Sequence, residues 1–345
     1  MIQRTPVQIE VHSDSSLPRW QHTLANAITD PLALLRQLDL DPALLAGAEL
    51  GHRLFPLRVP EPYWRRIHPA DPQDPLLLQV LPQLAETRAE TGFTEDPLAE
   101  ATFSQGDGIV RKYRSRALLL LTGACAINCR YCFRRHFPYD QNRLQPADWS
   151  RTLDILASDP DINEVIFSGG DPLAMNDRVL ARLVRELEAI PHLRRLRIHT
   201  RLPVVIPRRI DAALLDWLSA TRLQPVVVLH VNHPREIDGD VIEAVSALRR
   251  AGATLLNQSV LLRSVNDDAE TLAALSERLF EAGVLPYYLH AFDPVAGAGH
   301  FAVTDDHGRM LMRDLLERLP GFLVPRLVRE SPGASSKWPL DLGLA

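Results

Sequence analysis

Residues 117–132 read ALLLLTGACAINCRYC, a short apolar run followed at once by a loop with three cysteines. The run predicts a buried strand, because brief apolar segments bounded by turn residues are typical of parallel sheets. The loop places Cys125, Cys129 and Cys132 after the carboxyl end of that strand, where βα barrels carry their active sites. This stretch therefore predicts both the class of fold and the place of the functional site.

Five further apolar runs follow, and amphipathic segments separate them. Helical spacing is clear in residues 177–190, where Leu180, Leu183 and Leu187 fall on one face. Repeated strand–helix units predict a parallel sheet, so the chain is expected to form an α/β fold, a (β/α)6 partial barrel. The six predicted strands are residues 117–122, 164–168, 195–200, 225–231, 254–262 and 286–292.

The amino-terminal part of the chain has a different texture. Short apolar pieces with helical spacing are interrupted there by many prolines, which end helices and enforce turns. We expect a proline-rich, mainly helical region over 1–110 that packs on a barrel over 111–330. A carboxyl-terminal segment, 331–345, follows and carries Lys337.

Composition excludes several classes of function. The 345 residues are 46% hydrophobic with a formal net charge of -5, which is ordinary for a globular protein and offers no positive field for nucleic acid. Residues 1–16 lack the basic start and apolar run of a secretion signal, and no apolar stretch approaches the length that spans a membrane. The sequence predicts a cytoplasmic protein without a membrane or nucleic-acid partner.

The cysteine loop predicts a metal cluster. The chain has 3 cysteines, an odd number that cannot form a complete disulfide set, and all of them lie in this loop. Three thiolates close in sequence can hold three irons of a [4Fe-4S] cluster and leave the fourth iron open. The alternatives are a zinc site completed by a histidine such as His136, and nucleophilic cysteines.

The spacing CxxxCxxC, with Tyr131 before the last cysteine, resembles the radical S-adenosylmethionine (SAM) superfamily. The resemblance implies that SAM chelates the open iron and that a glycine-rich segment contacts its methionine part. The matching residues here are Ser168, Gly169, Gly170 and Asp171, which could otherwise form an ordinary turn. His230, at the end of a predicted strand, is a further candidate SAM contact, with a structural role as the alternative.

Among 38 basic residues only Lys112 and Lys337 are lysine. A primary amine can form a Schiff base and a guanidinium cannot, so either lysine is a candidate for amine chemistry. The alternative is that both are surface charges.

Several motifs along the chain resemble the lysine 2,3-aminomutase family, in particular its short bacterial branch, which is linked to β-lysylation of elongation factor P. The resemblance implies that pyridoxal phosphate (PLP) binds through Lys337, the catalytic lysine, with Arg116, Gln258 and Lys112 as further cofactor contacts. It covers most of the chain and rests on CRYCFRR, FSGGDPL, HVNHP, FDPVAGAGHF and ESPGASSK.

The same resemblance implies three substrate contacts. Arg134 matches the arginine that holds the substrate carboxylate, for which a guanidinium fork is well suited. Asp293 and Glu330 match two acidic residues that receive the distal ammonium of lysine, although the family usually has Asp at the second position. Two carboxylates favour a cationic side chain, and hence lysine over glutamate.

The expected function is therefore a radical SAM, PLP-dependent isomerase that converts α-lysine to β-lysine for modification of elongation factor P. Such an enzyme needs a reductant such as flavodoxin or ferredoxin, and a functional link to elongation factor P and its lysine ligase. No zinc is expected, because no cysteine lies outside the loop. Rival functions are an aminomutase for another amino acid, a radical SAM enzyme without PLP, and a zinc-binding module. Product stereochemistry, the electron donor, free or protein-attached lysine as substrate, and oligomeric state, including a homo-oligomer, stay open.

Overall fold

The computed structural model describes residues 18–103, 108–145, 149–334 and 336–341. The segment 1–16 used above to argue against a secretion signal lies outside the described residues, as do the ends of the predicted parts 1–110 and 331–345. In the described part of the chain, no helix is both long enough and apolar enough to cross a membrane.

One sheet organises the structure, and its strands follow one another in chain order. Neighbouring strands are parallel from the second to the eighth, and an antiparallel strand lies at each edge. The strands are β1 (Ile109–Tyr113), β2 (Arg116–Thr122), β3 (Glu164–Gly169), β4 (Arg195–Thr200), β5 (Gln224–Leu229), β6 (Thr254–Val260), β7 (Leu285–His290), β8 (Arg326–Arg329) and β9 (Trp338–Pro339).

Helices precede the sheet and connect its parallel strands. In the described residues they are α1 (Arg19–Ala25), α2 (Pro31–Gln37), α3 (Leu45–Leu54), α4 (Glu61–Trp64), α5 (Pro75–Leu78), α6 (Glu100–Phe103), α7 (Tyr139–Asn142), α8 (Trp149–Ser158), α9 (Asp177–Glu188), α10 (Leu202–Val205), α11 (Ala212–Ala220), α12 (Gly239–Arg250), α13 (Ala269–Glu281) and α14 (Asp305–Arg318).

The predicted (β/α)6 partial barrel is confirmed, because each of β2 to β7 is followed by at least one helix before the next strand. All six predicted strands are present, with shifts of one or two residues at most ends. The sequence prediction missed β1, β8 and β9. Strand β8 is only Arg-Leu-Val-Arg, too short for its alternation to stand out from a loop.

Local sequence explains where the barrel helices begin and which face they bury. Asn176 accepts a hydrogen bond from the Arg178 amide at the start of α9, and Asp268 accepts one from the Thr271 amide at the start of α13. Gly283 ends the turn after α13 with φ +79°, a conformation that suits glycine. The predicted apolar face of α9 is buried against the sheet.

The amino-terminal helices share one hydrophobic core with the barrel, as the sequence predicted. Tyr63 of α4 is fully buried, and Arg66 donates to the main-chain oxygens of Glu236 and Val204 on the barrel. The proline-rich region therefore covers the barrel near the ends of β4 and β5 and supplies polar groups to that area.

Candidate functional site

A single cavity of about 280 Å³ brings together every residue that the sequence singled out for a functional role. It extends from the cysteine loop beyond β2 into the interior of the partial barrel. The predicted site residues along its wall are Lys112, Arg116, Cys125, Cys129, Cys132, Arg134, Ser168, Gly169, Gly170, Asp171, His230, Gln258, Asp293, Glu330 and Lys337. We call the part around the three cysteines the cluster end, and the part around Lys112, Asp293, Glu330 and Lys337 the amine end.

The cysteine loop is held in place by buried charges. The side chains of Arg130 and Arg135 both donate to the carboxylate of Glu86, and none of the three is exposed. The Arg130 amide also donates to the Gln79 carbonyl oxygen at 2.9 Å, which ties the loop to the turn after α5. Because buried ion pairs tolerate little displacement, the loop conformation depends on the amino-terminal region.

The chemistry of the three thiols fits a cubane cluster. Burial and the neighbouring sulfur of Cys129 raise the pKa of Cys132 to about 11, and burial and Cys132 raise that of Cys125 further. Mutual repulsion of this kind favours binding of a strongly cationic group. Among the described residues, the three sulfur atoms do not form a group within 4.8 Å of one another. Ligands of one zinc ion would lie closer, about 3.8 Å apart, given zinc–sulfur bonds of about 2.3 Å.

His136, the histidine named for the zinc alternative, is engaged elsewhere. Its Nε2 atom lies 3.0 Å from the carbonyl oxygen of Ala296. The donor set that faces the cavity at this end is therefore three sulfurs without an imidazole from that position, which favours the cluster over the zinc site.

The glycine segment after β3 forms a close turn beneath the cysteine loop. Gly169 has φ +121°, and a Cβ atom there would lie 2.4 Å from the Thr122 carbonyl oxygen. A Cβ atom on Gly170 would lie 2.4 Å from the Ala124 carbonyl oxygen. Only glycine permits this approach, and it leaves the main chain accessible to a ligand.

Asp171, in contrast, directs its carboxylate into the protein. The carboxylate accepts hydrogen bonds from the Thr200 hydroxyl at 2.7 Å and from the amides of Arg201, Leu202 and Leu173. Burial raises the pKa of Asp171, and these hydrogen bonds lower it in part. In this structure the carboxylate stabilises the loops after β3 and β4, and its expected contact with SAM stays a prediction.

Arg134 lies at the centre of the cavity wall and is already paired. Its Nε and one terminal nitrogen bind Glu100 at 2.6 and 2.9 Å, and its other terminal nitrogen donates to Ser168 and to the Gly169 carbonyl oxygen. Burial raises the pKa of Glu100, but Arg134 lowers it more, so that the carboxylate is ionised. The sequence analysis missed Glu100, because one acidic residue in a short helix carries no pattern.

The amine end is a run of alternating charges. The Lys112 ammonium lies 3.3 Å from a Glu100 oxygen and 3.0 Å from a Glu330 oxygen, and Lys337 donates to the other oxygen of Glu330. The side chain of Lys112 is only 11% exposed, so its interpretation as a surface charge is wrong. Burial raises the pKa of Glu330, but Lys337 and Lys112 hold it well below its usual range.

Strand pairing explains how Lys337 reaches this position. The short strand β9 pairs antiparallel with β8, with Trp338 opposite Arg329, so that the residues just beyond these partners, Lys337 and Glu330, come together. Asp293 lies after β7 in the same area, and burial together with the negative charge of Glu330 raises its pKa to about 7.

The barrel interior is unusually polar along this cavity. Alternate residues of β4, β6 and β7 face it, whereas the interior of a closed barrel is filled by apolar side chains. The nitrogen atoms His199 Nε2, His290 Nε2 and Arg197 Nε are buried without a hydrogen-bond partner. Such orphaned groups are costly and indicate a polar ligand. Alternating polar residues in RLRIHT could have revealed Arg197 and His199 from the sequence.

His230 contacts protein groups at the cluster end. Its Nε2 atom lies 2.9 Å from the hydroxyl of Tyr131, and the two rings stack at 5.6 Å. Burial and the nearby Arg201 lower the pKa of His230 to about 3, so the imidazole is neutral. Its predicted SAM contact stays a prediction, since the ring already has a partner.

Comparison with known proteins identifies the family. Residues 119–275 match the radical SAM superfamily. The chain is 52% identical to L-lysine 2,3-aminomutase of Escherichia coli over 94% of this chain and 95% of that protein. It is 49% identical to the Haemophilus influenzae enzyme of that name, over 92% and 94% of the two chains. For the Clostridium subterminale enzyme the identity is 33%, over 95% of this chain and 79% of that protein.

This similarity spans the cysteine loop, the barrel strands and the segment with Lys337. The superfamily acts through a [4Fe-4S] cluster and SAM, and the relatives are aminomutases, which makes this chain an isomerase. The chain belongs to the lysine 2,3-aminomutase family of radical SAM enzymes.

Proposed function

We propose that the enzyme converts α-lysine to β-lysine, with PLP bound through Lys337 and the cluster bound by Cys125, Cys129 and Cys132. The observation that carries the proposal is that one cavity joins three cysteines at one end to a buried lysine and two acidic residues at the other. When bound, the reduced cluster and SAM supply a carbon radical that abstracts hydrogen, and PLP supplies a conjugated ring for the migrating amino group.

The residues present fit both organic cofactors. Gly169 and Gly170 leave main chain open beside the cysteines, where the amino acid part of SAM would lie. At the other end, Lys337 offers the primary amine that PLP needs, and its ammonium lies 6.0 Å from the centre of the Tyr288 ring. Arg116 and Gln258 line the same interior and can donate to a phosphate.

The substrate would span the two ends of the cavity. Arg134 binds its carboxylate through a guanidinium fork, after exchange with Glu100. Asp293 and Glu330 bind the distal ammonium, which becomes favourable once Lys337 is engaged by PLP and no longer neutralises Glu330. The same charges argue against glutamate, whose side chain would add a third anion.

The test of cofactor attachment uses the two lysines of the chain as a matched pair. Protein incubated with PLP and reduced with borohydride should carry one PLP group on Lys337, located by mass spectrometry of the peptides. Lys112→Ala should retain this adduct and Lys337→Ala should lose it. An adduct on Lys112 alone, or none in the original protein, would contradict the proposal.

The test of the reaction is anaerobic incubation of the reconstituted enzyme with dithionite, SAM and lysine, followed by chromatography. β-Lysine should form, and a parallel incubation with glutamate should give no β-glutamate. SAM cleavage without β-lysine, in protein that carries PLP, would favour an aminomutase for another amino acid.

We further propose that the enzyme acts in the cytoplasm and supplies β-lysine for elongation factor P, with flavodoxin or ferredoxin as the reductant. The identity of 45–52% to relatives of nearly the same length supports this choice within the family. In a coupled assay with purified elongation factor P and its lysine ligase, the mass of the factor should increase by one β-lysyl group when this enzyme is active. The division into 1–110, 111–330 and 331–345, and any homo-oligomer, also stay proposals.

A further inference from the structure

Arg201 is a buried arginine at the cluster end to which the proposed reaction assigns no role. It follows β4 directly and is 6% exposed. One terminal nitrogen donates to the sulfur of Cys129 at 2.7 Å. In the described residues, no other side-chain hydrogen bond to a cysteine sulfur is seen.

The position of this guanidinium is set by a buried polar network. Its second terminal nitrogen donates to Glu236 and to Gln79, each at 2.7 Å, and to the Tyr63 hydroxyl at 3.3 Å. Glu236 is fully buried and also accepts from the amides of Asn232 and His233. Every acceptor is held by other groups, so the arginine has little freedom to turn away from the sulfur.

Two parts of the fold supply this network. Tyr63 and Gln79 come from the proline-rich helical region, whereas Glu236 comes from the loop after β5. The amino-terminal region therefore reaches the sulfur of Cys129 through one side chain, and a simple cover over the barrel would not require such a connection.

We infer that Arg201 is a positioning residue that raises the reduction potential of the cluster through its hydrogen bond to Cys129. Reduction adds one electron, from an external donor, to an assembly whose thiolates are already negative. A cationic N–H group directed at one of those thiolates stabilises the reduced state more than the oxidised state. Glu236 opposes the effect, since its charge offsets that of the guanidinium. The inference rests on the proposed ligand role of Cys129.

The experiment compares the midpoint potential of the reconstituted cluster in three variants of the full-length protein, without SAM, PLP or lysine. Redox titration is followed by electron paramagnetic resonance of the one-electron-reduced cluster. Arg201→Met removes the charge and the donors at similar volume. Glu236→Gln keeps an acceptor for Arg201 and removes the opposing charge. Arg209→Met is the control, because Arg209 is equally buried but binds Leu173, Met175 and Asp177.

Arg201→Met should lower the potential by about 59 mV or more, which is a tenfold change in the one-electron reduction equilibrium. Glu236→Gln should raise it, and Arg209→Met should leave it unchanged. A purely structural role would not give opposite signs in the first two variants. If Arg201→Met fails to retain the cluster, the direction of the Glu236→Gln shift decides.

An unchanged potential in Arg201→Met, or no rise in Glu236→Gln, overturns the inference while the proposed function stands. A failure of the original protein to assemble any cluster would instead contradict the proposed function. The two results are distinguishable because iron and sulfide are measured before each titration.

Discussion

The two ends of the cavity differ in how the chain builds them. The cluster end takes its three cysteines from one loop of eight residues, which the buried Glu86 holds through two arginines. The amine end joins Lys112 of β1 to Glu330 after β8, two residues 218 positions apart in the chain. Metal ligation is therefore a local property of the sequence, whereas the amine site exists only when the sheet is complete.

The largest expected effect would come from breaking the support of the cluster end. Glu86→Ala leaves two buried arginines without a counter-charge and should destabilise the protein by about 3–5 kcal/mol. Urea denaturation measures the free energy of unfolding, and iron analysis should show loss of the cluster. Glu61→Ala is the control, since the exposed Glu61–Arg65 pair should contribute no more than about 1 kcal/mol. Equal effects of the two changes would contradict the distinction between the two ends.

At the amine end we expect a loss of substrate affinity without a loss of fold. Glu330→Gln removes one charge that receives the distal ammonium, and the KM for lysine should rise on the order of 100-fold, as for other buried charge pairs. Cluster content and the rate of SAM cleavage without substrate should stay as in the original protein. A loss of the cluster in this variant would show that the two ends are not independent.

The pKa of Asp293 predicts a dependence on pH that belongs to the amine end alone. With its pKa raised to about 7, Asp293 is mostly neutral at pH 6 and mostly ionised at pH 8. The distal ammonium of lysine is protonated at both values, so binding should strengthen by roughly tenfold as the pH rises. The dissociation constant of lysine, measured calorimetrically with the oxidised cluster, checks this. The slope should vanish in Asp293→Asn, and an opposite slope would contradict the assignment.

The smallest effect is expected where the two ends meet. Glu100 occupies the fork of Arg134 that the substrate carboxylate needs, so Glu100→Gln should lower the KM for lysine about fivefold, the value of one hydrogen bond. Steady-state kinetics measures this change. A higher KM would mean that Glu100 orients Arg134 rather than competing with the substrate.

Much of the fold could be predicted because its strands are apolar runs with a helix between each pair. The short strands β8 and β9 could not, since each is stabilised by its neighbour and not by its own pattern. In the site, the cysteines, the glycine turn and Lys337 follow from residue type and spacing. Glu100, Arg201 and His290 could not be found that way, because single polar residues gain meaning only from what surrounds them.

The amino-acid sequence alone determined that three thiolates lie in one loop at a strand end, because the loop is too short to separate them. It also determined that only two amines were available for a Schiff base. The tertiary structure decided which carboxylates face those amines and that Arg201 reaches a cluster sulfur. The reason is physical: charge pairing falls off with distance in space, and the distance between β1 and β8 is set by the curvature of the whole sheet.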